Sequence, residues 1–123
     1  DRKCAEFGIE LNLYYKVSDQ KKFEILSNAT CLIFLSKFEG FGYPPVEALY
    51  CGAMVIAYDI PVVREVCGDY AEFVHTSDRE SLIQKIVEIK NGGLRRTFGN
   101  REIETIASIN SFGERIERGI FSD

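Results

Sequence analysis

Cys31-Leu32-Ile33-Phe34-Leu35 is a short, unbroken apolar run, and the fold is read outward from it. A strand with one face in water alternates apolar and polar residues. A run apolar at every position reads as a strand buried on both faces, as in a parallel sheet covered by helices. Met54-Val55-Ile56-Ala57-Tyr58 repeats the pattern. Ahead of the first run, Leu11-Asn-Leu-Tyr-Tyr-Lys16 partly alternates and is rich in strand formers, which predicts a strand. Ser18-Asp19 is expected to cap a helix through Phe23, Leu26 and Ala29. Between the apolar runs, Pro44-Pro45 opens a helix through Val46 and Leu49 that stops at Gly52.

Beyond residue 58 the alternation continues. Residues 61–66 predict a short helix ending at Gly68, and Ala71-Glu-Phe-Val74 a fourth strand. Ser77-Asp-Arg-Glu80 has capping-box spacing. Behind it Leu82, Ile83, Ile86, Val87 and Ile89 lie at amphipathic spacing, closed by Asn91-Gly92-Gly93. A further helix is expected over about residues 94–108. A second capping box, Ser111 to Glu114, precedes Phe112, Ile116 and Ile120, which share one face. Strands alternating with helices predict an α/β fold, with a mostly parallel sheet of about four strands in a single domain over residues 1–123. No internal repeat and no linker is visible.

Composition excludes several classes. Hydrophobic residues at 46% are enough for one core. Fifteen basic residues against 19 acidic ones speak against a nucleic-acid binder, which would show a basic stripe. No apolar run approaches the ~20 residues of a membrane span. Asp1-Arg2-Lys3-Cys4 has no apolar stretch behind it, so no signal peptide is expected. Cys4, Cys31, Cys51 and Cys67 form no Cys-x-x-Cys pair, and the single His75 cannot complete a Cys/His zinc set. The cysteines fit a reducing, cytosolic setting.

In open α/β sheets ligands bind beyond the carboxyl ends of the strands. The segment to inspect is therefore Ser36-Lys-Phe-Glu-Gly-Phe-Gly-Tyr-Pro-Pro-Val-Glu47. Gly40 and Gly42 permit unusual backbone dihedrals and leave room for a ligand. The helix behind them aims its free N–H groups at the same loop. Glu39 and Glu47 flank it, and carboxylates accept hydrogen bonds from paired hydroxyls such as those of a ribose or hexose. Taken alone, these residues describe a polyol- or nucleotide-binding loop. They leave other readings open: Glu47 stabilised by the helix dipole, Glu39 a solvated charge, and Phe38, Phe41 and Tyr43 packing residues. His75 reads as structural, Cys51 as packing, and Asp59 as the cap of the helix at Pro61.

Residues 36–59, Ser-Lys-Phe-Glu-Gly-Phe-Gly-Tyr-Pro-Pro-Val-Glu-Ala-Leu-Tyr-Cys-Gly-Ala-Met-Val-Ile-Ala-Tyr-Asp, closely resemble the donor-site signature of retaining GT-B glycosyltransferases of the group 1, family 4 type. Arg64-Glu-Val-Cys-Gly-Asp69 and Ser111-Phe112 resemble further family segments. The resemblance implies a Rossmann-like three-layer sandwich, here part of the GT-B C-terminal domain. It implies hexosyl transfer with retention from a nucleotide-diphosphate sugar, which is the donor substrate, with no cofactor and no metal. Carried over by position, Glu39 is the catalytic-site residue contacting the transferred hexose. The backbone N–H groups of Phe41, Gly42 and Tyr43 meet sugar hydroxyls or phosphate, and Gly40 and Ser36 are further donor-binding residues. Glu47 holds the ribose hydroxyls, and the turn at Val17 cradles the base. A cytoplasmic enzyme, peripheral at a membrane in its full-length form, fits the same resemblance.

The family's acceptor-side domain and the first two strands of its donor domain have no counterpart in this sequence. The expectation is therefore a partial donor-binding domain, inactive alone, whose natural partner is the missing N-terminal acceptor domain. An alternative from another class is a non-catalytic sugar-nucleotide-binding or assembly module. A nicotinamide-binding half is disfavoured because the Gly-x-Gly-x-x-Gly fingerprint is absent. Without the intervening strands, the 31–35 strand would expose an edge. Either 11–16 pairs with it directly, or two chains exchange strands as a homodimer.

Overall fold

The structure is a computed structural model and describes residues 2–40, 42–94 and 96. A short helix α1 (Arg2–Glu6) is followed by an irregular segment and then by α2 (Asp19–Asn28). From there strands and helices alternate: β1 (Cys31–Phe34), α3 (Tyr43–Tyr50), β2 (Met54–Tyr58), α4 (Pro61–Cys67), β3 (Glu72–Val74) and α5 (Arg79–Lys90). A single 3-10 turn, Gly68–Tyr70, links α4 to β3. The three strands form one parallel sheet in the order β1-β2-β3. This is a Rossmann-like α/β arrangement with flanking helices, as the apolar runs predict.

The central strand explains the packing. Val55, Ile56 and Ala57 of β2 are all buried, because helices and neighbouring strands cover both faces. Val46, Ala48 and Leu49 of α3, Val63 and Cys67 of α4, and Phe23 and Leu26 of α2 form one core cluster with Val55 and Ala57. Ser18 caps α2 by accepting a hydrogen bond from the Lys21 N–H at 3.1 Å. Gly68 ends α4 at φ 50°. None of the described helices is long and apolar enough to cross a membrane.

Several expectations are corrected. The sheet has three strands among the described residues, one fewer than the four expected. The missing one is 11–16, which is irregular and exposed, with Leu13 85% and Tyr15 84% accessible. A strand exists only where another backbone completes its ladder. Residues 11–16 meet none, so their alternation has nothing to act on. Direct pairing of 11–16 with 31–35 is thus not what forms, and among the described residues β1 pairs with β2 alone. The cap of α5 is Asp78, which accepts from the Ser81 N–H at 3.1 Å, and not Ser77. Ser77 has left-handed backbone at φ 67°. The helices expected over 94–108 and beyond Ser111 lie outside the described residues.

Candidate functional site

The carboxyl ends of the parallel strands open toward the loop between β1 and α3, where the acidic-glycine motif sits. Ser36 starts that loop, and its hydroxyl donates to the Phe38 carbonyl at 2.9 Å, holding the turn. Glu39 is half-buried and makes no hydrogen bond or ion pair among the described residues. Phe38 is 92% exposed, so it does not pack in the core. Phe41 lies outside the described residues.

The two glycines differ. Gly42 is the N-cap of α3 with φ 82° and ψ 40°, and a Cβ there would sit 3.3 Å from Val63 Cγ2. Its backbone therefore calls for glycine's conformational freedom, and a β-carbon would crowd Val63. Gly40 does not adopt a left-handed backbone, and a Cβ on it would meet nothing within 4 Å. Its contribution is open space in front of the loop. The N-terminus of α3 also offers fewer donors than expected. Pro44 and Pro45 fill its second and third positions and carry no N–H, which leaves those of Gly42 and Tyr43.

Glu47 is the most informative residue. It lies in the second turn of α3, too far along for the helix dipole alone to account for it. Its side chain is only 2% exposed and is paired with Lys22 of α2, Nζ to Oε1 3.0 Å. The same ammonium reaches Asp19 Oδ1 at 3.3 Å. Sequence reasoning missed Lys22. The available signal was its position four residues before buried Leu26, on the same face of α2. Val17, immediately before the α2 cap, is 39% exposed beside Lys16, whose left-handed φ of 51° makes the turn.

Around this loop, Asp59 and Arg64 form a two-pronged pair at 2.6 and 2.8 Å. The Arg64 guanidinium lies 4.2 Å from the Phe73 ring centroid and holds the Asp59 carboxyl below the usual carboxylate range. Asp59 is therefore not the cap of α4. Ile60 occupies that position, without a side-chain hydrogen bond. His75 lies exposed after β3, its carbonyl accepting from the Asp78 N–H at 3.0 Å. Burial pushes the Cys51 thiol up, with a partly offsetting hydrogen bond from Ser27. That environment suits packing and not nucleophilic chemistry.

The sequence profile of the family described as "Glycosyl transferases group 1" matches residues 3–105. The O-antigen chain mannosyltransferase RfbU of Salmonella typhimurium is 35% identical over 69% of this chain and 24% of its own length. The alpha-1,3/1,6-mannosyltransferase ALG2 of Dictyostelium discoideum is 37% identical over 45% of the chain and 14% of its own. A serotype-specific mannosyltransferase WbdA of Escherichia coli is 38% identical over 58% of the chain and 9% of its own. The chain thus spans a quarter or less of the length of these relatives. No solved structure matches it.

Proposed function

The chain belongs to the glycosyl transferases group 1 family, and from that premise we propose that it forms the donor-binding part of a retaining glycosyltransferase. The reaction is transfer of a hexosyl group from a nucleotide-diphosphate sugar to an acceptor. The names of the relatives direct the choice of sugar to mannose. The donor is a substrate, and the reading calls for no cofactor and no metal. Residues 1–123 act as one partial nucleotide-sugar-binding domain that needs an acceptor-side domain and is inactive alone. The setting is cytoplasmic, with the full-length enzyme peripheral at a membrane. Any homodimer contact belongs at the outer edge of β1.

One observation carries this reading. The motif spans the carboxyl end of β1 and the start of α3, with an open-sided Gly40 beside a half-buried Glu39 that has no partner among the described residues. In this reading Glu39 contacts the hexose. Ser36, Gly40, Phe41, Gly42 and Tyr43 surround sugar and phosphate through the main chain, where N–H donors suit an anion. Glu47 takes the ribose hydroxyls, and Val17 lies under the base.

Calorimetry of the chain against UDP, GDP, ADP and their sugars, GDP-mannose included, tests it. The expected result is binding of one nucleotide, lost in Glu47→Ala. No binding at millimolar ligand, or binding indifferent to that substitution, would overturn it.

A further inference from the structure

The Lys22–Glu47 pair joins two helices across 25 positions of sequence. Lys22 is the more exposed member, its side chain 28% accessible against 2% for Glu47. The lysine is well anchored: its face of α2 packs through Leu26, and its Nζ lies 4.8 Å from the Phe23 ring centroid. A carboxylate this buried is costly unless a charge compensates it. Replacing such a pair by apolar residues is often neutral or stabilising, so the pair is poorly explained by stability alone.

A carboxylate offers about four acceptor positions. Lys22 occupies one of them on Oε1. Hydrogen bonds from hydroxyls to a charged, fixed acceptor are stronger and more directional than those to a neutral or wandering one. Resting on the reading of Glu47 as the ribose acceptor, we propose that Lys22 is a positioning residue of the donor site. Its ammonium compensates and aims the Glu47 carboxylate so that the remaining acceptor positions meet the ribose 2′- and 3′-hydroxyls. Asp19 holds the other side of the ammonium and limits its swing.

The test compares affinity for the nucleoside diphosphate that the chain binds with affinity for its 2′,3′-dideoxy analogue. The unaltered chain is expected to prefer the ribose form. Lys22→Met should cut that preference roughly tenfold, the size of one charged hydrogen bond, and leave the dideoxy affinity unchanged. Lys22→Arg should retain it. A merely structural lysine would lower thermal stability without moving the preference. If Lys22→Met does not fold, Lys22→Gln, which keeps a donor but no charge, is read by the same two outcomes. An unchanged preference in the methionine or glutamine variant overturns the inference. Tighter ribonucleotide binding overturns it too, because Lys22 would then be occluding the carboxylate. If Glu47→Ala abolishes the preference and Lys22→Met preserves it, only Lys22's role fails. If Glu47→Ala preserves it, the reading of Glu47 fails and takes this inference with it.

Discussion

Gly42 and Val63 meet where the loop after β1 turns into α3, and a β-carbon would be crowded there: one built on Gly42 would come 3.3 Å from Val63 Cγ2. The backbone there is also left-handed, at φ 82°. Gly42→Ala should therefore lower stability by roughly 1–3 kcal/mol, the range for a residue forced into a sparsely populated conformation. Denaturant titration measures it. Gly40→Ala, in open space and without a left-handed backbone, should cost far less. Equal losses in the two variants would contradict this geometry.

Acid should weaken the fold through Asp59 and Asp78. Arg64 holds the Asp59 carboxyl below its ordinary value, and the Ser81 side chain and N–H do the same for Asp78. A carboxyl whose folded value is depressed contributes stability above its unfolded value, about 3.9. That contribution disappears as pH falls through the lower folded value. Denaturation midpoints taken at pH 5 and pH 3 should fall less steeply in Asp59→Asn than in the unaltered chain. Parallel slopes would show that the Arg64 pair does not contribute.

Cys67 should be the last thiol to react. It is fully buried at the end of α4, and burial pushes its thiol up to about 12. At pH 8 almost none of it is thiolate, the reactive form. Mass spectrometry after timed iodoacetamide treatment should find Cys67 unmodified in the native chain and modified in denaturant. Native labelling of Cys67 ahead of Cys4, which is only half-buried, would contradict the packing of α4.

Leu49 anchors α3 behind the loop that follows β1 and is fully buried. Leu49→Ala should cost about 2–5 kcal/mol, the lost apolar burial plus the cavity left behind. Unfolding monitored by circular dichroism reads it directly. A loss below 1 kcal/mol would mean that α3 is not held by this core.

Much of the fold was legible in local pattern. The unbroken apolar run at 54–58 became β2, where burial on both faces removes any need for alternation. The run at 31–35 also became a strand, β1, but it lies at the edge of the sheet and none of its residues is buried, with Ile33 44% and Leu35 41% exposed. Pro44-Pro45 and Gly52 bracketed α3, since proline suits a first turn and glycine the residue after a last one. The alternation at 11–16 misled, because a strand also needs a neighbour. Asp59 looked like a cap one residue before an Ile60-Pro61 start, yet Arg64, one turn into α4, offered a two-pronged charged partner that outcompetes a backbone N–H.

Sequence pattern alone specified the order of elements from α2 to α5, the parallel class of the sheet, the position of the glycine-acid loop after β1, and the family. Each is a matter of neighbouring residues and their spacing, which the chain carries wherever it folds. Only the tertiary structure decided that Glu47 is buried against Lys22, that Gly42 abuts Val63, and that Arg64 bridges Asp59 and the Phe73 ring. Those are meetings between separate elements. Their energies depend on burial and on which charge or atom stands opposite, and spacing along the chain specifies neither.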